Sequence, residues 1–192
     1  MRRKSPLLLS ILFLCAVYAL VVRAQTGQTV VLYAPRDKAT GKFNYRRASF
    51  SFELGLRGDA GEVAATNWDV GYGLLSIGGE DYFKVQTSEA HRSVIRDLGK
   101  FEWGDSFEIP ALEPLPEVAK GERRKVVIDS SGGKLKAWEQ TTRIFAKIIV
   151  GHIYLVRVKD EDSDFYVLFR VEALSQGESC TISWRHIPPP QS

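Results

Sequence analysis

Residues 151–174, GHIYLVRVKDEDSDFYVLFRVEAL, place a run of acids between two apolar arms. Apolar residues recur at every second position in each arm, as in a strand that buries one face. Two arms of equal period around five or six polar residues predict a β-hairpin. The residues predicted to share a face within each arm are Tyr154, Val156 and Val158 in the first, and Phe165, Val167, Phe169 and Val171 in the second.

A third strand is predicted after Gly177, where Ile182 and Trp184 face one way. Residues 152–187 are therefore expected to form a three-stranded antiparallel meander. Arg157 and Arg170 fall on the opposite face, among aliphatic residues. We expect that face to be half exposed to water, since a one-residue slip in register would move both arginines into the core.

The preceding chain also alternates with a period of two. Strands are predicted over residues 29–33, 47–54, 68–77 and 81–86, which are separated by Gly- and Pro-containing turns. Residues 88–98 are the best helix candidate, with Ser88 as cap and Gly99 as stop, although residues 93–96 would also suit a strand. Residues 134–144 are a second helix candidate. The sequence predicts a mainly β fold, an antiparallel sandwich or open barrel with one or two short helices.

Prolines dominate residues 109–116, IPALEPLP. Proline removes a backbone donor, so this stretch is neither helix interior nor central strand. We expect an extended segment that crosses the domain and is pinned by Leu112 and Leu115.

The amino terminus resembles an export signal. Arg2, Arg3 and Lys4 precede an apolar run of 16 residues, 7–22, and small residues at 22 and 24 favour cleavage after Ala24. The run is shorter than the ~20 residues of a membrane span, but a retained anchor stays open. We expect a signal peptide over residues 1–24, one β-rich domain over 25–187, a loose proline-rich tail over 188–192, and a secreted or periplasmic location.

Charge and cysteine content limit the partners and the cross-links that we expect. Residues 25–192 carry 22 bases and 23 acids, a balance that does not favour nucleic-acid partners. Without residues 1–24, Cys180 is the only cysteine, so no disulfide can form within the processed chain. We expect no stable membrane span after cleavage.

The acidic loop has the opening spacing of a calcium loop, with Asp160, Asp162 and Asp164 at alternate positions. An EF-hand needs glycine at its sixth position and a bidentate glutamate at its twelfth, where this chain has Phe165 and Val171. We therefore predict a solvated hairpin tip with no bound metal. The three aspartates stay candidates for a looser calcium site.

Other catalytic or metal patterns are incomplete. His91, His152 and His186 lack the spacing of zinc ligands. Cys180 and His186 lie ~20 Å apart on a regular strand and so cannot form a Cys–His pair. His152 could approach Cys180 across strands, but a small buried apolar role for Cys180 is favoured. The Ser-x-x-Lys pattern at residues 131–134 lacks its companion motifs. No cofactor is predicted.

Two residues are candidate ligand contacts. Trp103 lies in turn-rich sequence beside acids, where an exposed aromatic binds sugars or partner surfaces, although a core-filling tryptophan is the alternative. His152 follows Gly151 at a strand start, and capping of a loop is its alternative role.

FSFELG (residues 50–55), NWDVGY (67–72) and the late hairpin together resemble the layout of the HmuY-type family of exported bacterial β-proteins. The resemblance covers about a third of the chain and implies an exported β fold. Family members studied as haemophores bind haem through His or Met. Here the only Met is Met1, and none of the three histidines matches a ligand position.

Three functions follow as hypotheses. The first is a non-enzymatic binding domain for an unknown protein, glycan or small ligand. The second is a small-ligand carrier, haem included. The third is an enzyme whose residues converge only in the fold.

Overall fold

The computed structural model describes residues 27–60, 67–77, 79–118, 128–129, 136–137 and 143–190. Its elements are almost all strands, together with one short 3-10 helix at Tyr45–Ala48. In chain order the strands are β1 (Gln28–Tyr33), β2 (Ser49–Ser51), β3 (Leu56–Arg57), β4 (Val70–Ile77), β5 (Glu80–Val85), β6 (Val94–Lys100), β7 (Ile128–Asp129), β8 (Lys136–Ala137), β9 (Phe145–Lys147), β10 (His152–Lys159), β11 (Asp164–Ser175) and β12 (Ser179–Ile187).

Two antiparallel five-stranded sheets pack face to face. The first has the order β1-β12-β11-β10-β6, and the second has the order β3-β2-β4-β5-β9. The short pair β7-β8 is separate. The predicted β-sandwich is confirmed, and neither sheet closes into a barrel.

The C-terminal meander is also confirmed. β10, β11 and β12 are consecutive antiparallel neighbours, and Val156 lies opposite Val167 as the alternation requires. Residues 160–163 turn the hairpin, and Gly177 takes a positive φ in the turn between β11 and β12. The five residues predicted for the buried face are all buried: Val156, Val158, Val167, Phe169 and Trp184.

An aromatic cluster fills the space between the sheets. Phe169 on β11 stacks on Tyr154 with ring centroids 5.1 Å apart, and meets Phe83 of the other sheet edge-on at 4.9 Å. Phe52 and Trp184 continue the cluster. Aromatic pairs in these geometries add to the stabilisation that burial alone provides.

The expectation that the opposite face of the meander is half exposed is wrong. Ile153, Leu155 and Leu168 on that face have no exposed surface. Residues 101–116, which we call the strap, cover it. Leu112 and Leu115 are buried as predicted, so the proline-rich segment forms a third layer over the first sheet and hides aliphatic residues that would otherwise face water.

The strap is attached at both ends. At its tip, the indole N–H of Trp103 donates to Ser183 Oγ at 2.8 Å on β12. Near the C-terminal end of the strap, the N–H of Leu112 donates to Tyr166 Oη at 3.3 Å, and Arg157 donates to the Leu112 carbonyl oxygen at 2.8 Å. The arginine expected to face water therefore helps to hold the covering layer.

The helix predicted at residues 88–98 is wrong. Residues 88–91 form a turn, in which Ser88 Oγ accepts from the N–H of His91, and β6 begins at Val94. The β-branched pair Val94 and Ile95 is buried beside β10, and this tertiary pairing outweighs weak helix propensity. Most of the second helix candidate, residues 134–144, lies outside the described residues, and its described parts are β8 and a turn.

The predicted signal over residues 1–24 and the Ser-x-x-Lys pattern at 131–134 both lie outside the described residues. β12 ends at Ile187, and residues 188–190 have no regular structure. Within the described parts of the chain, no helix is long and apolar enough to cross a membrane.

Arg170→Ala is expected to lower the free energy of unfolding by about 1–3 kcal/mol, because hydrogen bonds to charged groups are stronger than neutral ones. Arg170 Nε donates to the Phe101 carbonyl oxygen at 3.0 Å, and its guanidinium pairs with Glu102 and Glu172. Urea unfolding measures the change, with exposed Arg96→Ala as the control. Equal stability of the two variants would mean that these bonds do not hold the strap.

Candidate functional site

An open groove runs along β6, the strand at one edge of the first sheet. Two cavities of about 440 and 370 Å³ adjoin there, since both are lined by Arg96 and Asp97. We call them together the edge groove. Its opposite wall is the strap, with Phe107, Glu108, Pro110, Ala111, Leu112 and Glu113.

The backbone of β6 offers hydrogen-bonding groups to this groove. The N–H of Ile95 points away from β10 and donates to the Arg143 carbonyl oxygen at 2.8 Å. N–H groups alternate in direction along a strand, so the N–H of Asp97 also points away from β10. Among the described residues no backbone acceptor outside the β6–β10 ladder receives it. The groove therefore has an open strand edge at its centre.

His152, a predicted ligand contact, lies beside the groove. Its Nδ1 is 3.0 Å from both carboxylate oxygens of Asp97. Asp97 Oδ1 also accepts from the N–H of Gly99 at 2.8 Å, where the pairing of β6 with β10 shifts register. The histidine thus supports the carboxylate that shapes the strand edge.

Trp103, the other predicted contact, lies elsewhere. It is half-buried at the strap tip, with the guanidinium of Arg185 4.7 Å from its ring centroid and its N–H bonded to Ser183. The structure does not bring Trp103 and His152 to one site. Its hydrogen bond to Ser183 joins the strap to β12.

Two carboxylates of the acidic loop, those of Asp160 and Asp164, are bonded within the hairpin. Asp160 Oδ1 accepts from the N–H groups of Asp162 and Ser163 at 2.9 and 2.6 Å. Asp164 forms a two-bond pair with Arg157 at 2.8 and 2.9 Å, and this contact lowers the pKa of the carboxyl. In the described part of the chain, no three His, Cys, Asp or Glu side chains are grouped to hold a metal ion.

Cys180 is poorly suited to nucleophilic chemistry. The thiol is buried, and burial raises its pKa to about 12, with the charge of Asp81 adding to the effect. A thiolate is the reactive form of cysteine, and it is scarce at neutral pH when the pKa is this high. The side chain acts as a small apolar residue in the core.

Asp69 is a buried carboxyl that the sequence did not single out. It is buried, as is its neighbour Val70. Asp69 Oδ2 accepts from the N–H of Phe52 at 2.6 Å and ties β4 to the end of β2. Burial raises its pKa to about 6, against the lowering effect of the bonds from Phe52 and Glu53.

No protein-family model, curated protein or solved structure matches this chain. The resemblance to the HmuY-type family therefore stays a prediction. Function is therefore inferred from the edge groove, from the fold that forms it and from the charges along it.

Proposed function

We propose that this protein is an exported, non-enzymatic binding domain that holds an extended polypeptide segment along β6. Export is supported by the basic and apolar composition of residues 1–24. The single observation that carries the binding role is the open edge of β6 inside the edge groove. An extended peptide adds to such an edge through main-chain hydrogen bonds, while flanking pockets select its alternate side chains.

The walls of the groove fit this role. Arg96 and Arg143 on the lining offer positive charge, and Asp97 and Glu113 offer negative charge. The two cavities fall within the ~300–1,000 Å³ range of ligand pockets. The nearby His152 imidazole is bonded to Asp97, and the described residues of the lining include no histidine, which supports a peptide over a haem ligand.

Selection from a displayed library of random peptides tests the proposal. We expect the enriched peptides to alternate polar and apolar residues, and the bound peptide to slow hydrogen exchange at the Asp97 amide. Ala111→Trp, which fills the groove from the strap, should weaken binding at least about tenfold, a loss of ~1.4 kcal/mol.

Ser106→Trp is the matched control, because Ser106 is an exposed strap residue away from the groove lining. It should bind the same peptides as the unchanged protein. The proposal fails if the library yields no binder, if Ala111→Trp binds as well as the control, or if exchange at Asp97 is unchanged by the peptide.

A further inference from the structure

We propose a second surface, at the opposite edge of the first sheet, that binds the face of an anionic lipid bilayer. It is built on β1, β3 and the loop of residues 36–47 that includes the start of the 3-10 helix. We call it the basic aromatic face. Its exposed apolar side chains are Tyr33, Phe43, Tyr45 and Leu56, and its cations are Arg36, Lys38, Lys42, Arg46, Arg47 and Arg57.

The exposed apolar side chains are concentrated here. In the described part of the chain six large hydrophobic residues are exposed, and four of them belong to this face; the others are Leu54 and Val150. Phe43 and Tyr45 are 49% and 60% exposed and touch edge-on with ring centroids 4.1 Å apart. Clustered exposed apolar surface marks an interaction site, whereas scattered single residues do not.

The face is continuous across the two sheets. Tyr33 at the end of β1 has the guanidinium groups of Arg47 and Arg57 at 5.1 and 5.0 Å from its ring centroid. Arg57 on β3 also donates to the Val31 carbonyl oxygen at 3.0 Å. Arg47 of the loop and Arg57 of β3 therefore meet at the Tyr33 ring of β1, so the three elements form one surface.

Positive charge is segregated to the same place. Residues 36–47 carry five bases and one acid, whereas the rest of residues 25–192 carries 17 bases and 22 acids. The single acid, Asp37, is bonded to Arg47 at 2.7 Å, which lowers its pKa to about 2. Lys38 and Arg57 are paired as well, with Glu178 and Asp59, whereas among the described residues Arg36 and Lys42 form no ion pair. Each base near an anionic lipid surface adds to membrane attraction.

Two observations favour a bilayer over a soluble polyanion. Leucine and phenylalanine side chains gain from contact with acyl chains, and amphipathic tyrosine and arginine suit the headgroup level. The apolar run of residues 7–22 also ends only five positions before Gly27, a distance of at most ~18 Å in extended chain. Before cleavage, or with a retained anchor, that run holds β1 next to the membrane.

Vesicle co-sedimentation tests this surface, using the chain without residues 1–24, which keeps every described element. The probes are vesicles of phosphatidylcholine with about one third phosphatidylglycerol, and vesicles of phosphatidylcholine alone. We expect binding to the anionic vesicles that weakens with salt. Arg36→Glu with Lys42→Glu, and separately Phe43→Ser with Tyr45→Ser, should each weaken it at least about tenfold.

The matched control reverses the same number of charges at the far edges of the two sheets, with Lys100→Glu on β6 and Lys147→Glu on β9, both exposed. It should bind as the unchanged protein does, and circular dichroism should show all variants folded. The proposal is overturned if neither vesicle is bound, or if the control weakens binding equally. Loss on charge reversal but not on aromatic substitution would also overturn it, since that result indicates a soluble polyanion site.

Discussion

Phe169→Ala should lower the free energy of unfolding by about 3–5 kcal/mol. The side chain has no exposed surface and contacts aromatic rings from both sheets. Its removal loses the transfer free energy of the ring and leaves a cavity that the surrounding β-strands cannot close. A loss of this size is a large part of the ~5–15 kcal/mol that stabilises a typical domain, so we also expect poor expression.

Urea unfolding at constant pH measures the effect. Phe43→Ala is the matched control, because the same side chain is lost from a position that is 49% exposed; it should cost under about 0.5 kcal/mol. Two variants of equal stability would show that the aromatic cluster is not the centre of the core.

The second large effect is a dependence of stability on pH that comes from Asp69. Its folded pKa of about 6 lies above its ordinary value of 3.8, because burial disfavours the charged form. The stabilising contribution is therefore fully present below pH 3.8 and is lost as pH rises through about 6. At 1.36 kcal/mol per pH unit, the loss is about 2–3 kcal/mol.

Asp69→Asn isolates this contribution, because asparagine does not titrate. Asp37 and Asp164 have lowered pKa values and act in the opposite direction, so the informative quantity is the stability difference between the variant and the unchanged protein. From pH 4 to pH 7 that difference should move by about 2–3 kcal/mol in favour of the variant. Glu161 is exposed, so the stability difference for Glu161→Gln should not change in this way with pH. If the stability difference for Asp69→Asn is also independent of pH, the pKa of Asp69 is not raised by burial.

The alternation of apolar residues predicted the meander correctly, because a one-residue change of register moves every side chain to the other face. The same pattern could not show that the second face is covered. Ile153, Leu155 and Leu168 are buried by the strap, which comes from a distant part of the sequence. Local periodicity reports which residues share a face, but not what packs against it.

The prediction of a helix at residues 88–98 was wrong for a related reason. Its apolar spacing suited a helix and a strand about equally, and pairing with β10 decided the outcome. Such pairing depends on residues more than fifty positions away.

The candidate site was predictable only in part. His152 was singled out at a strand start, but its partner Asp97 depends on the register shift between β6 and β10. Trp103 was singled out as a surface aromatic, and its bond to Ser183 joins residues 80 positions apart. Arg143 enters the edge groove because the edges of the two sheets meet beside Ile95, an arrangement that no local motif encodes.

The pairing of β1 with β12 has a consequence for how the protein folds. Gln28 lies opposite Trp184, so the first sheet is completed by two strands from opposite ends of the chain. Contacts of such long sequence separation slow folding, because loop-closure entropy is lost before the contacts form. During synthesis, β1 has no neighbouring strand among the described residues of its sheet until β12 is made.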